Sequence, residues 1–198
     1  EETIIYNIKK AYPDHRFIGE ESGTSGNPDS DVEWIIDPLD GTTNFVRGIP
    51  HVAVSIACRI KGKLEHGVIL EPFKREEFTA SRGHGASLNG RRIRVSGRTE
   101  EAGALYATGI PFSAPSFNEM DKYLACMHEF ADNSAGIRRL GVASLDLAYV
   151  AAGRMDVFWE MSLKPWDIAA GVLMVREAGG MVSDFKGGEK FMDSGHIL

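Results

Sequence analysis

The segment 34–45 constrains this chain more than any other stretch of the sequence. It reads Trp-Ile-Ile-Asp-Pro-Leu-Asp-Gly-Thr-Thr-Asn-Phe. Its apolar beginning predicts a buried strand, and two carboxylates, Asp37 and Asp40, follow beside a Gly-Thr pair. Hard divalent cations prefer carboxylate and carbonyl oxygens, and backbone N–H groups near a glycine bind phosphate. The segment therefore offers ligands for both, although an Asp-Pro turn with solvated carboxylates would read the same way.

Composition and charge exclude several classes of protein. A length of 198 residues favours one domain with a substantial core. The formal net charge of −6 argues against a general nucleic-acid or membrane-surface binder. The arginine-rich stretch 91–98 is expected to be a solvated face. No apolar run approaches the ~20 residues that span a bilayer and no signal peptide is visible, so we expect a cytoplasmic protein.

The cysteines and the hydrophobic pattern predict a mixed fold. Cys58 and Cys126 are too few for a disulfide framework, and Cys58 lies in an apolar run that predicts a core position. Asn89-Gly90 is a strong hairpin signal. An apolar stripe in the third quarter of the chain, formed by Tyr123, Met127 and Phe130, is expected to face the core. Strands that dominate early and mix with helices later indicate α+β or α/β.

The periodicity also assigns individual elements. Helices are predicted at 1–10, 116–130, 144–152 and 167–178, strands at 16–19, 34–37, 52–60, 64–70, 76–81, 155–160 and near Val182 and Phe185, a turn at 61–63, and a loop at 23–31. The chain opens inside a helical pattern and ends in what reads as a strand. We therefore expect a single domain over 1–198 that is truncated at both ends.

Three separated motifs resemble those of the inositol monophosphatase family of Mg²⁺-dependent, lithium-sensitive phosphatases. They are Ile-Gly-Glu-Glu-Ser at 18–22, the segment 34–45, and Lys-Pro-Trp-Asp at 164–167. The resemblance extends over nearly the whole chain, and segments 145–153 and 164–167 are most similar to the bacterial branch. It implies a layered αβαβα sandwich of the sugar-phosphatase type and a homodimer.

The resemblance implies a set of metal ligands. Glu20, Asp37 and the Leu39 carbonyl would hold one Mg²⁺. Asp37, Asp40 and Asp167 would hold a second, and Glu20 would also face a third, weaker ion. Taken alone, Asp167 would more simply be an N-terminal cap of the helix that follows it, and the two roles are compatible.

The resemblance also implies the groups that contact water and substrate. Thr42, with Glu20, would orient the attacking water, while the N–H groups of Gly41 and Thr42 would receive the phosphate. Asp167 would face the substrate as well as the metal. Glu20, Thr42 and Asp37 form the catalytic group of the prediction, and Gly41, Thr42 and Asp167 belong to the substrate-binding group.

On the alcohol side of the substrate, Glu160 would accept hydrogen bonds from inositol hydroxyls. The alternative is that Glu160 is a surface residue at the end of a strand. Gly141 and Ala143 would lie in the turn near the inositol ring. Arg138 would contact ligand or a neighbouring subunit.

Two functions follow from the resemblance. The first is Mg²⁺-dependent hydrolysis of inositol monophosphate. The second belongs to some bacterial relatives, which act as partners of the transcription antitermination machinery during ribosomal RNA synthesis, with phosphatase activity dispensable. An intact set of metal ligands favours the enzyme, and the two roles are not exclusive.

Overall fold

An eight-stranded sheet dominates the structure, a computed structural model that describes residues 1–111 and 119–198. Its order is β2-β1-β3-β4-β5-β6-β7-β8. The strands are β1 (Arg16–Gly19), β2 (Gly23–Gly26), β3 (Val32–Asp40), β4 (Ala53–Ile60), β5 (Lys63–Glu71), β6 (Glu76–Ser81), β7 (Gly85–Leu88) and β8 (Arg91–Ile93). From β3 to β8 each strand pairs antiparallel with the next, and β1 lies parallel to β3.

Tight turns set the register of this meander. Lys61 and Gly62, with φ of 49° and 76°, join β4 to β5, and Asn89 and Gly90, with φ of 49° and 74°, join β7 to β8. Two successive residues with positive φ form the kind of turn that matches the twist of paired strands. The hairpin predicted at Asn89-Gly90 is confirmed, and the predicted turn at 61–63 ends one residue earlier because Lys63 belongs to β5.

A second sheet and two of the helices lie on one face of the large sheet. The second sheet has the order β10-β9-β11 and is parallel. Its strands are β9 (Leu105–Thr108), β10 (Gly136–Arg138) and β11 (Val157–Trp159), and the helices are α1 (Glu2–Ala11), α2 (Thr42–Val46), α3 (Met120–Ala131), α4 (Ala143–Ala151), α5 (Pro165–Glu177) and α6 (Phe191–Ser194). α5 packs on β3 to β7, α4 lies between α5 and the second sheet, and α3 covers β10. The predicted mixed α/β sandwich is confirmed.

The helix pair α4 and α5 forms the centre of the core. Every residue of α4 is buried, which is expected of a helix that has protein on all sides. The two helices approach closely at Gly171, where an added Cβ would lie 2.5 Å from the Cβ of Leu147. This close contact packs the middle of α4 against the middle of α5.

Several sequence predictions are confirmed and others need correction. The end of the chain, which reads as a strand, contains the helix α6, followed by a single bridge between Ile197 and Glu160. Cys58 and Tyr123 are buried, with Met127 and Phe130 packed against the same cluster as Tyr123. The predicted helix 116–130 is observed as α3, while residues 116–118 lie outside the described part of the chain. The loop expected at 23–31 contains β2, which pairs with β1.

The strand expected near Val182 and Phe185 is wrong. Ser183 exchanges two backbone hydrogen bonds with Leu198, both 2.9 Å, but no ladder develops. The carboxylate of Asp184 instead accepts the backbone N–H groups of Lys186, Gly188 and Lys190. Such local side-chain bonds compete with strand pairing. No helix in the described ranges is long and apolar enough to cross a bilayer.

Candidate active site

A β-bulge at the end of β3 presents two carboxylates. Asp37 pairs with Ser55 of β4, and pairing resumes only at Asp40 opposite Ala53. Pro38 lies between them and has no N–H for the ladder. The carboxylate of Asp37 turns back on this bulge and accepts the N–H of Leu39 at 2.8 Å. The strand therefore continues past the predicted end at Asp37, with its irregularity at the two acidic residues.

Asp40 is held by the beginning of α4. Its Oδ2 accepts the backbone N–H of Ser144 at 2.8 Å and the Ser144 hydroxyl at 2.6 Å. The first N–H groups of a helix have no partner within the helix and carry partial positive charge. The start of α4 thus fixes Asp40, although Asp40 and Ser144 are 104 residues apart in the chain.

Asp167 lies in the first turn of α5. Its Oδ2 accepts the N–H of Lys164 at 2.7 Å, and its own N–H donates to the Lys164 carbonyl at 3.1 Å. The N-cap position considered for Asp167 is occupied by Lys164, and Asp167 is the third residue of the helix, whose side chain accepts the Lys164 N–H in a capping box. Ser55 of β4 donates its hydroxyl to the Trp166 carbonyl at 3.3 Å, which joins this turn to the large sheet.

Four acidic residues, Glu20, Asp37, Asp40 and Asp167, form an electrostatically coupled group that we call the acidic cluster. Burial raises the pKa of Asp40 to about 6, and the charge of Glu20 adds to the effect. Burial raises the pKa of Asp167 to about 7, with contributions from Asp40 and Glu20. Asp37 is 1% exposed, and burial followed by the charges of Asp40 and Glu20 raises its pKa strongly.

This acidic cluster fits a divalent cation in its chemistry. Its members are hard oxygen donors, and their mutual repulsion under burial is relieved by a positive ion. Within residues 1–111 and 119–198, no three His, Cys, Asp or Glu side chains form a ready-made metal cage. Asp37, Asp40 and Asp167 each hold one oxygen on a backbone N–H. An ion would therefore bind to aspartates that backbone hydrogen bonds already orient.

The Gly41-Thr42 turn lies directly beside the acidic cluster. Gly41 has a φ of 92°, and a Cβ added there would lie 2.7 Å from Cγ2 of Val142. Only glycine fits both the conformation and the space. Thr42 begins α2, and its hydroxyl donates to the Leu39 carbonyl at 3.1 Å. The predicted phosphate turn, the predicted carbonyl ligand and the predicted water-orienting hydroxyl are thus neighbours.

Glu160 faces the interior of the protein. It follows β11, and its backbone pairs with Ile197 through bonds of 3.1 and 3.0 Å. Its carboxylate fills the space over Gly109, where an added Cβ would lie 1.8 Å from Oε1. Burial, followed by the charges of Asp40 and Asp167, raises the pKa of Glu160 to about 8, and the charge of Arg139 opposes this shift. A freely solvated surface role does not fit this environment.

The predicted turn at 141–143 leads into α4. Gly141 has a φ of 76°, and Ala143 is the buried first residue of the helix. Arg138 lies exposed on β10, where its guanidinium donates to the Ile137 carbonyl at 3.3 Å. The charge that acts on Glu160 is that of Arg139, the residue that follows Arg138 in the chain. A contact of Arg138 with ligand or subunit stays a prediction.

Sequence reasoning missed several residues of this region. Ser144 binds Asp40, and Glu1 accepts the N–H groups of Glu21 and Ser22, both at 3.0 Å, next to Glu20. Asp146 is 1% exposed, and neither of its carboxylate oxygens has a hydrogen-bond partner within the described residues. A signal for Asp146 was present, since it is a lone charge in the otherwise apolar run of α4.

Comparison with known proteins identifies this architecture. A sequence profile described as the inositol monophosphatase family matches residues 1–198. The chain belongs to the inositol monophosphatase family. Among curated relatives of this family, Nus factor SuhB of Pseudomonas aeruginosa is 57% identical over 200 residues, which cover 100% of this chain and 74% of that protein. Nus factor SuhB of Escherichia coli K12 is 52% identical, covering 100% of this chain and 73% of that protein.

Solved structures of the family superpose closely. The extragenic suppressor protein suhB of Bartonella henselae has a TM-score of 0.93 at 50% identity, covering 99% of this chain and 75% of that one. An inositol monophosphatase from Anabaena has a TM-score of 0.92 at 40% identity, covering 100% and 78%. The predicted membership of the inositol monophosphatase family is therefore confirmed.

Proposed function

We propose that this protein is a Mg²⁺-dependent phosphatase that hydrolyses inositol monophosphate to inositol and phosphate. The observation that carries the proposal is the acidic cluster, whose four members come from β3, the end of β1 and the start of α5. They meet beside a turn with the glycine and hydroxyl that suit a phosphate. Membership of the inositol monophosphatase family supports the same reaction.

The chain's own groups divide the work of phosphate ester hydrolysis. Glu20, Asp37, Asp40, Asp167 and the Leu39 carbonyl would hold Mg²⁺. When bound, Mg²⁺ neutralises charge on the phosphoryl group and makes water a stronger nucleophile near neutral pH. The N–H groups of Gly41 and Thr42 would donate to the phosphate, and the Thr42 hydroxyl, with Glu20, would orient the attacking water. Positioning and charge neutralisation account for most catalysis of phosphoryl transfer.

The alcohol side would select the substrate. The charges of Asp40 and Asp167 act on the Glu160 carboxylate, so we expect a molecule bound at the phosphate turn to extend towards it. A carboxyl group accepts hydrogen bonds and, when it is protonated, also donates one, and the hydroxyls of a polyol can match it in both roles. Asp167, held at the start of α5, would contact the same molecule, and the turn at Gly141 and Ala143 would border its ring.

Assay of the protein on inositol 1-phosphate tests the proposal directly. We expect turnover that requires Mg²⁺, that Mn²⁺ partly restores because it also favours oxygen ligands, and that Li⁺ inhibits. Isothermal titration of Mg²⁺ supplies a second readout that does not depend on substrate choice. Full activity in excess chelator, or no turnover with saturating Mg²⁺, would overturn the proposal.

A second candidate function comes from the name of the relatives, Nus factor. On that basis the protein would be a partner of the transcription antitermination machinery. Affinity capture from a bacterial lysate, run with wild type and with Asp37→Asn, tests it. Equal capture of transcription proteins by both would support a role that is independent of turnover, and capture of none would contradict it. A homodimer also stays a prediction, which sedimentation tests.

A further inference from the structure

Two chain segments that face each other across the site are joined at three successive points. Asp40 binds Ser144, Gly41 packs on Val142, and the side-chain nitrogen of Asn44 donates to the Leu140 carbonyl at 2.9 Å. As one segment advances from 40 to 44, its partner retreats from 144 to 140. The two segments therefore run antiparallel along a seam, which we call the 40–44/140–144 seam.

Each side of this seam serves a different end of the substrate in the function proposed above. The segment 40–44 carries the phosphate turn and one acidic ligand, and the segment 140–144 carries the turn proposed to border the alcohol. The distance between phosphate and alcohol contacts is thus set by how firmly the seam is closed. Asp40 and Gly41 are proposed to act in the site directly. Among the described residues, the side-chain nitrogen of Asn44 bonds instead to the carbonyl groups of His51 and Leu140.

Asn44 closes the seam with both protons of its amide. The same nitrogen donates to the His51 carbonyl at 3.0 Å. Since both partners are carbonyl oxygens, the amide must present its nitrogen to them, and its two N–H donors are both used. Asn44 is 7% exposed, so loss of these donors would leave two partly buried carbonyl groups without this partner.

His51 extends this attachment to the other end of α4. Its ring nitrogen Nδ1 lies 3.1 Å from the Lys74 ammonium, which donates to the Tyr149 hydroxyl at 2.9 Å. Tyr149 belongs to α4. The phosphate segment is therefore fastened at both ends of the helix that carries the alcohol turn, with Asn44 at the end nearer the site.

We infer that Asn44 is a positioning residue that sets the spacing between the phosphate turn and the alcohol turn, and thereby the preference for a phosphorylated polyol over a phosphate ester with a simple alcohol. This inference rests on the proposed function. A loosened seam should disturb a substrate that contacts both turns more than one that is held mainly by its phosphate. Asn44 would thus control selectivity without touching substrate.

Asn44→Ala removes both donors and tests the inference, with Ser96→Ala as the matched control. The Ser96 hydroxyl also joins distant segments, through a bond of 2.6 Å to Asp156, but away from the seam. We expect Asn44→Ala to lower kcat/KM for inositol 1-phosphate about 10-fold more than for 4-nitrophenyl phosphate, mostly through KM. Ser96→Ala should leave this ratio unchanged. An equal loss on both substrates in Asn44→Ala would overturn the inference.

Amide hydrogen exchange without substrate separates failure of this inference from failure of the proposed function. In Asn44→Ala the segment 140–144 should exchange faster than in wild type, while in Ser96→Ala it should not. Unchanged exchange would overturn the inference even for an active enzyme. If wild type hydrolyses neither ester, the proposed function fails, and faster exchange in Asn44→Ala alone would still support the seam as the element that positions the two turns.

Discussion

The acidic cluster and the pair formed by Asp146 and Glu160 are built in opposite ways. In the acidic cluster the three aspartates each accept a backbone N–H from a bulge or a helix start. In the Asp146–Glu160 pair, both oxygens of Asp146 are buried without a hydrogen-bond partner among the described residues, and burial together with the charge of Glu160 raises the pKa of Asp146 well above its usual value.

The two groups differ in whether hydrogen-bond donors orient their carboxylates. Backbone N–H groups favour the charged form of a carboxylate and fix its direction, which suits residues that receive a cation. A buried carboxyl without donors favours the neutral form. The buried carboxyl of Asp146 therefore stays energetically costly until a proton or a hydrogen-bonding molecule satisfies it. We expect substitutions in the acidic cluster to change metal affinity and turnover, and substitutions in the pair to change selectivity and stability.

The largest expected effect is that of Asp37→Asn. Asp37 is proposed to contact two ions, so loss of its charge weakens both. Metal catalysis contributes several kcal/mol to such reactions, so we expect turnover to fall at least ~1,000-fold, with the fold intact by circular dichroism. Asp121→Asn, on the exposed face of α3, makes the same chemical change far from the acidic cluster and should be neutral. A folded Asp37→Asn protein with near-normal turnover would contradict the role of the acidic cluster.

Substitution of Glu160 should have the next largest effect and should depend on the substrate. Removing one partner of a buried hydrogen bond costs about 1–3 kcal/mol, which corresponds to a loss of roughly 5–100-fold in kcat/KM for inositol 1-phosphate in Glu160→Ala. Hydrolysis of 4-nitrophenyl phosphate should change by less than about 3-fold, because its alcohol cannot use the carboxylate. Equal losses on both esters would place Glu160 with the acidic cluster instead.

The sequence predicted the acidic cluster better than the pair, for a physical reason. Asp37, Leu39, Asp40, Gly41 and Thr42 are contiguous, so one strand followed by one turn determines most of their arrangement. Glu20 and Asp167 were found through the resemblance, since no spacing connects them to 37–42. The family profile confirms that resemblance, and the residue roles stay proposals.

Contacts between distant segments were not predictable from the pattern. The bonds of Asn44 to Leu140 and of Asp40 to Ser144 span 96 and 104 residues, and no periodicity encodes such pairings. The elements themselves were mostly predicted, because β3 to β6 and the helices α4 and α5 have strong hydrophobic patterns. The strand expected near Val182 failed because a single side chain, Asp184, satisfies the local backbone.

A smaller effect is expected for Ser144→Ala, which sharpens the comparison within the acidic cluster. The variant loses the 2.6 Å hydroxyl bond to Asp40 and keeps the 2.8 Å backbone bond. Groups that orient a metal ligand typically change affinity by roughly 10–100-fold, and with one of two bonds retained we expect Mg²⁺ affinity to weaken about 10-fold by calorimetry. At saturating Mg²⁺ turnover should recover. Unchanged affinity would show that the α4 N–H alone fixes Asp40.

The smallest expected effect is the change in the free energy of unfolding caused by Asp146→Asn. The sign of this change distinguishes Asp146 from a buried carboxylate that is ionised and hydrogen-bonded. Asp146→Asn removes an acid that Glu160 and Asp40 repel and that Arg139 only partly offsets. Burial raises the pKa of Asp146 in the folded protein, so the folded state binds more protons than the unfolded chain above the unfolded pKa of about 3.9. Its contribution to stability is complete below that pH and is lost as the pH rises through the raised folded value.

Asp146→Asn should therefore match wild type near pH 4 and become more stable than wild type as the pH rises to 8. The expected difference is about 1–3 kcal/mol, the cost of an unsatisfied buried polar group, measured by urea unfolding in chelator. Asp156→Asn is the control, because Asp156 accepts the Ser96 hydroxyl at 2.6 Å and the Leu105 N–H at 2.8 Å and should lose stability when changed. If Asp146→Asn is destabilising at pH 8 in the same way as Asp156→Asn, Asp146 is an ionised and satisfied carboxylate, and the contrast with the acidic cluster disappears.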